Sequence, residues 1–202
     1  MLIFSSPGTG SIRIFEFNYK PAMKKILAFS ASNSPTSINH QLILCTTCRI
    51  AEHEVEVIEL KGLHLPMYSI ALEKEGYPED VEFLHDKIRA VDALIISVNE
   101  YNSNVSGFFK NTIDWLSRYN RQFLEGKKLL LMSTAPGKRG GASALEYVKN
   151  QFPRFGGEVL ESFSLPDFYE NFDSENCRIN DEVLELGIRD VLSNFTQAIK
   201  ED

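Results

Sequence analysis

Cysteine is scarce in this chain. Three cysteines in 202 residues are too few, and of the wrong parity, for a disulfide framework, which fits a reducing compartment and sets the expectation of a cytoplasmic protein. Long apolar runs are missing: none approaches the roughly 20 residues of a membrane span. Basic residues are in deficit, 21 Lys and Arg against 28 Asp and Glu for a formal net charge of -7, which argues against a nucleic-acid or anionic-membrane binder. No internal repeat, low-complexity tract or linker interrupts the chain. With 43% hydrophobic and 24% charged residues, what remains is a globular chain with apolar mass for a core, about one domain long.

The first 22 residues do not read as a signal peptide, because Arg13, Glu16 and Lys20 break any apolar segment and no small-residue cleavage site follows. They read as an N-terminal extension, either without fixed structure or the result of a start placed too early, with residues 23–202 forming one domain. Gly8-Thr9-Gly10 is not a phosphate loop, since no strand precedes it and no Lys-Ser/Thr follows.

Strand and helix signals alternate from there on. Lys25 to Phe29, Glu54 to Leu60, Ala93 to Val98, Lys128 to Met132 and Val159 to Leu165 read as strands. The third, Ala-Leu-Ile-Ile-Ser-Val, is a nearly continuous apolar run of the kind buried on both faces of a parallel sheet. Helices are predicted from about Ile38 to Ala51, from Pro78-Glu79-Asp80 through Val91, from Ser106 or Gly107 to Arg118, from Gly140-Gly141 to about Phe155 with Pro153 bending or ending it, and from Glu182 to Ile199. Five strands alternating with helices imply a doubly wound α/β fold. Strand order 2-1-3-4-5 fits five strands better than the six-strand dinucleotide fold, and its ligand belongs beyond the carboxyl ends of strands 1 and 3.

In that arrangement three loops meet at one rim: Ser30 to Asn39, Asn99 to Gly107 and Ser133 to Gly141. All are rich in Ser, Asn and Gly, whereas the loops of the opposite rim are ordinary charged turns. The first turns from an apolar strand into hydroxyls and amides and resumes as a helix at Ile38. That leaves backbone N–H groups and the positive end of a helix dipole facing an anion, most often a phosphate. Taken alone, the stretch reads better as no more than a helix capped by Ser37.

The second loop runs Asn99-Glu100-Tyr101-Asn102-Ser103-Asn104-Val105-Ser106-Gly107 into Lys110-Asn111-Thr112-Ile113-Asp114-Trp115-Leu116-Ser117-Arg118. The third reads Ser133-Thr134-Ala135-Pro136-Gly137-Lys138-Arg139-Gly140-Gly141. Here the chain resembles the NADPH-dependent FMN reductase family of flavodoxin-like proteins, which includes quinone, azo-dye and chromate reductases. The family pattern has an S-x-R-x-x-S-x-N phosphate loop, an E-Y-N-x-S loop leading into K-N-x-I-D-W-L-S-R, and an S-x-x-P-G-x-x-G-G loop. The resemblance covers about residues 24 to 165.

It implies a non-covalently held FMN. Ser32, Ser34, Ser37 and Asn39, with nearby backbone N–H groups such as that of Ile38, would hold the phosphate. Asn99 and the backbone of Glu100, Tyr101 and Asn102 would line the isoalloxazine ring, and Ser133, Thr134 and Gly137 would approach it from the third loop. Hydride would pass from NADPH or NADH through flavin N5 to a quinone, flavin or similar small acceptor. The flavin carries the hard chemistry, so no catalytic side chain is named. The resemblance also implies a homodimer or homotetramer.

Two positions depart from the pattern. Ser34 stands where the family has arginine, removing a charge-assisted partner typically worth roughly 1.5–3 kcal/mol, for which Arg118 or Lys138 could compensate. Asn99 stands where proline is usual, which loosens the turn and adds a donor near the ring. Two other classes share the fold: a non-enzymatic electron carrier, against which the absence of a T-x-T-G-x-T loop speaks, and a flavin-free binding protein, which Ser34 would suit. Cys45 and Cys48 have redox-motif spacing but lie inside a helix, so they read as inert thiols, and no metal site is expected. Trp115 reads as packing its helix against the sheet or a second subunit.

Overall fold

The computed structural model describes residues 23–201. The N-terminal extension expected over residues 1–22 lies outside them. The chain begins with β1 (Lys25–Ser30), α1 (Ile38–Thr47) and β2 (Glu54–Glu59), then α2 (Ile70–Glu75), α3 (Glu79–Arg89) and β3 (Ala93–Val98). A hairpin of β4 (Glu100–Tyr101) and β5 (Asn104–Val105) precedes α4 (Gly107–Tyr119), β6 (Lys128–Thr134), α5 (Ala142–Gln151) and β7 (Glu158–Leu165). Short α6 (Phe168–Asn171) and a second hairpin, β8 (Phe172–Asp173) with β9 (Arg178–Ile179), lead to α7 (Glu182–Lys200).

The five long strands form one parallel sheet in the order β2-β1-β3-β6-β7, as the alternation of strand and helix signals predicts. Successive side chains of the central strands point to opposite faces, and both faces are apolar. Leu27, Phe29, Leu94, Ile96, Leu129 and Leu131 pack with α3, α4 and α5. Ile26, Ala28, Ala93, Ile95, Leu130 and Met132 pack with α1 and α7. β3 is buried along its whole length, whereas β2, at the sheet edge, alternates with exposed glutamates. No helix among the described residues is long and apolar enough to cross a membrane.

Where sequence and structure differ, local polar chemistry decides. α1 stops at Thr47 rather than running to Ala51. Thr47 turns its hydroxyl back onto the Ile43 carbonyl at 2.9 Å and the Leu44 carbonyl at 3.2 Å, a bond that competes with helix propagation. The stretch before Pro78, for which the sequence predicts no helix, contains α2, started by the Ser69 cap on the Leu72 N–H at 3.2 Å. Pro153 ends α5 as expected, the chain continuing as a 3-10 turn over Phe152–Phe155.

Candidate functional site

Register brings the three polar loops together. Ser30 lies opposite Ser97, and Val98 opposite Ser133, so β1, β3 and β6 end at one level and their loops share a rim. Side-chain bonds stitch these loops to one another. Ser106, the N-cap of α4, accepts from the Phe109 N–H at 3.2 Å and donates to the Ala31 carbonyl at 3.3 Å. Glu100 accepts from the Ala144 N–H at 2.9 Å. It therefore caps α5 from a distance, since Gly141 offers that helix no side-chain cap and a carboxylate suits the positive helix end.

Asn39 joins three elements. Its Oδ1 accepts from the Ser97 hydroxyl at 2.7 Å and the Thr134 N–H at 3.0 Å, while its Nδ2 donates to the Thr134 carbonyl at 3.1 Å. At 2% exposure it is chiefly a clamp between α1, β3 and β6. Thr134 is equally committed, its hydroxyl donating to the Leu165 carbonyl at 2.8 Å.

Between the loops lies a cleft of about 220 Å³, lined from Ser32, Ser34 and Thr36 to Asn99, Glu100 and Tyr101, and closed on its third side by Thr134, Ala135, Pro136 and Tyr169. Nine residues expected from the sequence line it: Ser32, Ser34, Ser37, Ile38, Asn39, Asn99, Glu100, Tyr101 and Thr134. Three do not. Ser133 is fully buried and donates to the Gly140 carbonyl at 2.7 Å. Asn102 sits with Ser103 at the exposed tip of the β4–β5 hairpin, both with positive φ as a tight two-residue turn requires. Gly137 has no atom within 4 Å of where a Cβ would stand, and its carbonyl accepts from the N–H groups of Gly140 and Asp167. Further along the same loop, Gly140 and Gly141 stand at φ +55° and +79°; a Cβ at Gly140 would clash with Ser164, and one at Gly141 would press on Ser133.

One end of the cleft is a donor surface. The Ser37 hydroxyl caps α1 by accepting from the His40 N–H at 3.2 Å, and the Ile38 and Asn39 N–H groups have no acceptor among the described residues. Ser32 and Ser34 hold the loop by accepting from the Ser34 and Thr36 N–H groups at 3.2 and 3.3 Å. Arg118 does not replace the missing arginine: it pairs with Glu73 through two bonds of 3.0 Å and does not line the cleft. Lys138 is exposed on the third loop and likewise outside the lining. Beside the donor end, His40 and the Lys61 ammonium flank a small hollow with Ser30, Ser32, Ser34 and Ser37; Lys61 also pairs with Glu59, whose carboxyl it holds below the ordinary value. At the other end stand two exposed tyrosines, Tyr101 and Tyr169. Tyr169 lies beyond the motifs, on a helix too short to show a period.

An anion surface at one end, a neutral polar middle and an aromatic end suit a phosphate-bearing, ring-bearing cofactor. The middle carries a buried acceptor, Asn99 Oδ1, that no protein group satisfies. The sequence profile of the NADPH-dependent FMN reductases matches residues 24–170. The chain belongs to the NADPH-dependent FMN reductase family. It is an FMN-dependent oxidoreductase that draws on reduced nicotinamide, and its donor-lined, acceptor-bearing cleft fits that cofactor.

Relatives of this FMN reductase agree. It is 39% identical over 144 residues to a quinone reductase of Escherichia coli, covering 65% of this chain and 77% of that one. It is 30% identical over 184 residues to an NADPH:quinone oxidoreductase of Arabidopsis thaliana, covering 86% and 90%. The solved structure of FerB, a flavoenzyme NAD(P)H:acceptor oxidoreductase of Paracoccus denitrificans, superposes with a TM-score of 0.65 at 28% identity, covering 87% and 98%.

The other feature the sequence raised, the cysteine pair, resolves differently. Cys177 joins it: the Cys45 thiol donates to the Cys177 carbonyl at 2.9 Å, and the Cys48 thiol to the Cys45 carbonyl at 3.1 Å. Burial and then Cys45 push the Cys177 thiol up to about 11, and burial raises Cys48 as well. Cys48 and Cys177 are thus protonated at neutral pH and poor nucleophiles. Cys177 opens onto a larger crevice of about 520 Å³ between the end of α1, the β8–β9 hairpin and α7, lined by no residue of the three motif loops. Trp115, fully buried, donates to the Pro66 carbonyl at 2.7 Å and meets Tyr68 and Tyr77 edge-on. It anchors the segment after β2.

Proposed function

We propose that residues 23–202 form one FMN-binding domain that reduces a quinone, a flavin or a similar small acceptor at the expense of NADPH or NADH. The observation that carries this reading is the convergence of three family motifs on one cleft whose end presents unpaired first-turn N–H groups. There the Ile38 and Asn39 amides, with the hydroxyls of Ser32, Ser34 and Ser37, hold the phosphate at the positive end of α1. Lys61, in the hollow beside that end, supplies positive charge where Ser34 cannot.

Asn99 and the backbone of Glu100 and Tyr101 would border the ring, while Asn102 shapes the hairpin turn beside them. Ser133, Thr134 and Gly137 act on the third loop chiefly as framework, and Glu100 fixes its position through the Ala144 N–H. Once bound there, FMN would supply the hydride-transfer chemistry between reduced nicotinamide and the acceptor. Tyr101 and Tyr169 bound the open end, where nicotinamide and acceptor enter in turn and where an aromatic wall favours flat rings. No side chain is assigned an acid or base role; the chain positions the reactants and excludes water. Family membership supports a homodimer or homotetramer, and the low cysteine count supports a cytoplasmic setting.

The test is a fluorescence titration of the flavin-free protein with FMN, followed by NADPH oxidation in the presence of a benzoquinone. Saturable quenching with one FMN per chain and quinone-dependent turnover are expected. Binding without turnover would favour an electron carrier, and absence of binding would refute the reading.

A further inference from the structure

We infer that the side-chain oxygen of Asn99 is the acceptor for the single ring N–H of oxidised isoalloxazine, a contact that proline at this position could not make. The inference rests on the FMN reading above. Asn99 follows β3 directly and lines the cleft with Ser32, Glu100 and Thr134. It is 8% exposed, and its Oδ1 is buried without a hydrogen-bond partner. Among the described residues only one other side-chain atom is in that condition, Nδ1 of His85, whose ring packs against Tyr119 outside the cleft.

Buried acceptors are almost always paired, and one left alone is destabilising in the free protein. The neighbouring polar side chains show the ordinary case. Asn39 spends its oxygen on Ser97 and Thr134, Ser133 its hydroxyl on Gly140, and Thr134 its hydroxyl on Leu165. Asn99 alone of the cleft's buried side chains has an oxygen with no partner at all, so a turn of its amide toward the cleft lets the ligand satisfy it. The sequence suggests a donor at this position; the structure leaves an oxygen unpaired instead, and that narrows the match. The ring of oxidised isoalloxazine carries one N–H, at N3, while its two carbonyl oxygens and the nitrogens N1 and N5 only accept. An unpaired amide oxygen therefore recognises N3–H, leaving the accepting atoms to backbone N–H groups of the surrounding loops.

The test compares FMN with N3-methyl-FMN, which lacks that N–H. Both are titrated by fluorescence into wild type and Asn99→Leu, which keeps the side chain's outline without its polar ends. Thermal unfolding of both flavin-free proteins is followed in parallel. Wild type should bind FMN at least 10-fold more tightly than N3-methyl-FMN. Asn99→Leu should bind the two alike, at least 10-fold more weakly than wild type binds FMN, yet unfold at a higher temperature because no acceptor is left unpaired.

Equal affinity of wild type for the two flavins overturns the inference, as does discrimination that persists in Asn99→Leu. A variant that is less stable and equally weakened toward both flavins would make Asn99 a packing residue, which also overturns it. The wild-type comparison needs no variant, and Asn99→Ser serves if the leucine variant does not fold. Failure of wild type to take up either flavin would refute the FMN reading itself, a different result from uptake without discrimination.

Discussion

Replacing Asn39 by alanine separates a residue that holds the site together from one that holds the ligand. The family pattern places Asn39 at the phosphate loop, but three of its hydrogen bonds point inward, to Ser97 and to both backbone groups of Thr134. Ser97 and Thr134 are 0% and 1% exposed, so truncation strands the Thr134 N–H and carbonyl away from water, while the Ser97 hydroxyl can rotate to another acceptor. A stranded buried polar group costs about 1–3 kcal/mol, so the two together cost about 2–6 kcal/mol. A water entering the small polar void would recover part of this, leaving an expected loss of about 3 kcal/mol. For a chain of this length, that lowers Tm by about 6–12 °C. Urea unfolding of the flavin-free protein should show a lower midpoint with an unchanged slope, and the Thr134 amide should exchange faster with deuterium. Asn39→Asp keeps both accepted bonds, loses the donated one and sets a carboxylate against the Thr134 carbonyl, so it should be no more stable than the alanine variant at neutral pH. A stability loss under about 0.5 kcal/mol in Asn39→Ala, with a large loss of FMN affinity, would refute the clamp.

Substitutions at four further positions address the framework. Gly140→Ala combines a left-handed φ of +55° with a Cβ 2.4 Å from the Ser164 hydroxyl and 2.9 Å from the Leu165 backbone; conformational cost and overpacking together predict about 2–5 kcal/mol. Gly137→Ala, with open space around it, should unfold in urea within about 1 kcal/mol of wild type, and equal effects at the two sites would contradict the packing around Gly140. Glu100→Ala should cost about 1 kcal/mol by removing the distant cap of α5 and speed hydrogen exchange at Ala144, an effect that Glu100→Gln should largely rescue. Burial pushes the Glu185 carboxyl up, but hydrogen bonds from Arg189 and Arg49 outweigh it and hold its pKa below the ordinary carboxylate value. The stability it contributes is therefore fully present above the unfolded value near pH 4.3 and is lost as pH falls through the lower folded value. In urea melts from pH 7 to pH 3, Glu185→Gln should be less stable than wild type at pH 7 and converge with it in acid; a constant gap would refute this assignment.

The sheet was legible because its signals are redundant. Ala93 to Val98 can only be a strand covered on both faces, and five such runs separated by amphipathic helices leave few topologies. The rim was legible for a related reason: loops rich in Ser, Asn and Gly follow strands 1, 3 and 4 of the sequence reading, on one side of the sheet. What escaped was whatever depends on a single side chain's partner. The early stop of α1 turns on the Thr47 hydroxyl, and α2 on Ser69. The β8–β9 hairpin has two residues per strand and leaves no period to read. Tyr169 reaches the cleft only because the turn after β7 folds back over the third loop, where the Phe168 N–H donates to the Ala135 carbonyl at 3.1 Å. The roles of the polar residues were the least legible, because composition reports that a serine is present and not which way its hydroxyl points.

That last point changes how the site is divided. Its abundance of Ser, Thr and Asn suggests a ligand held by many side chains, yet Asn39, Ser106, Ser133 and Thr134 spend their hydrogen bonds on the protein. Their work is to hold three loop backbones at fixed spacing, so that amides face the cleft at a fixed geometry with little left to reorganise on binding. Backbone recognition of this kind tolerates exchange of surface side chains, which is how the loop after β1 can carry Ser34 where the family pattern has arginine and still present the Ile38 and Asn39 N–H groups. It follows that substitutions in the internal bonds should damage stability and cofactor affinity together. Substitutions at Tyr101 and Tyr169, exposed at the open end and free of that lattice, should change which acceptor is reduced while leaving the fold intact. A steady-state comparison of Tyr169→Ala and wild type across quinones of increasing size would expose that division as a change in KM for the acceptor, with Tm unchanged.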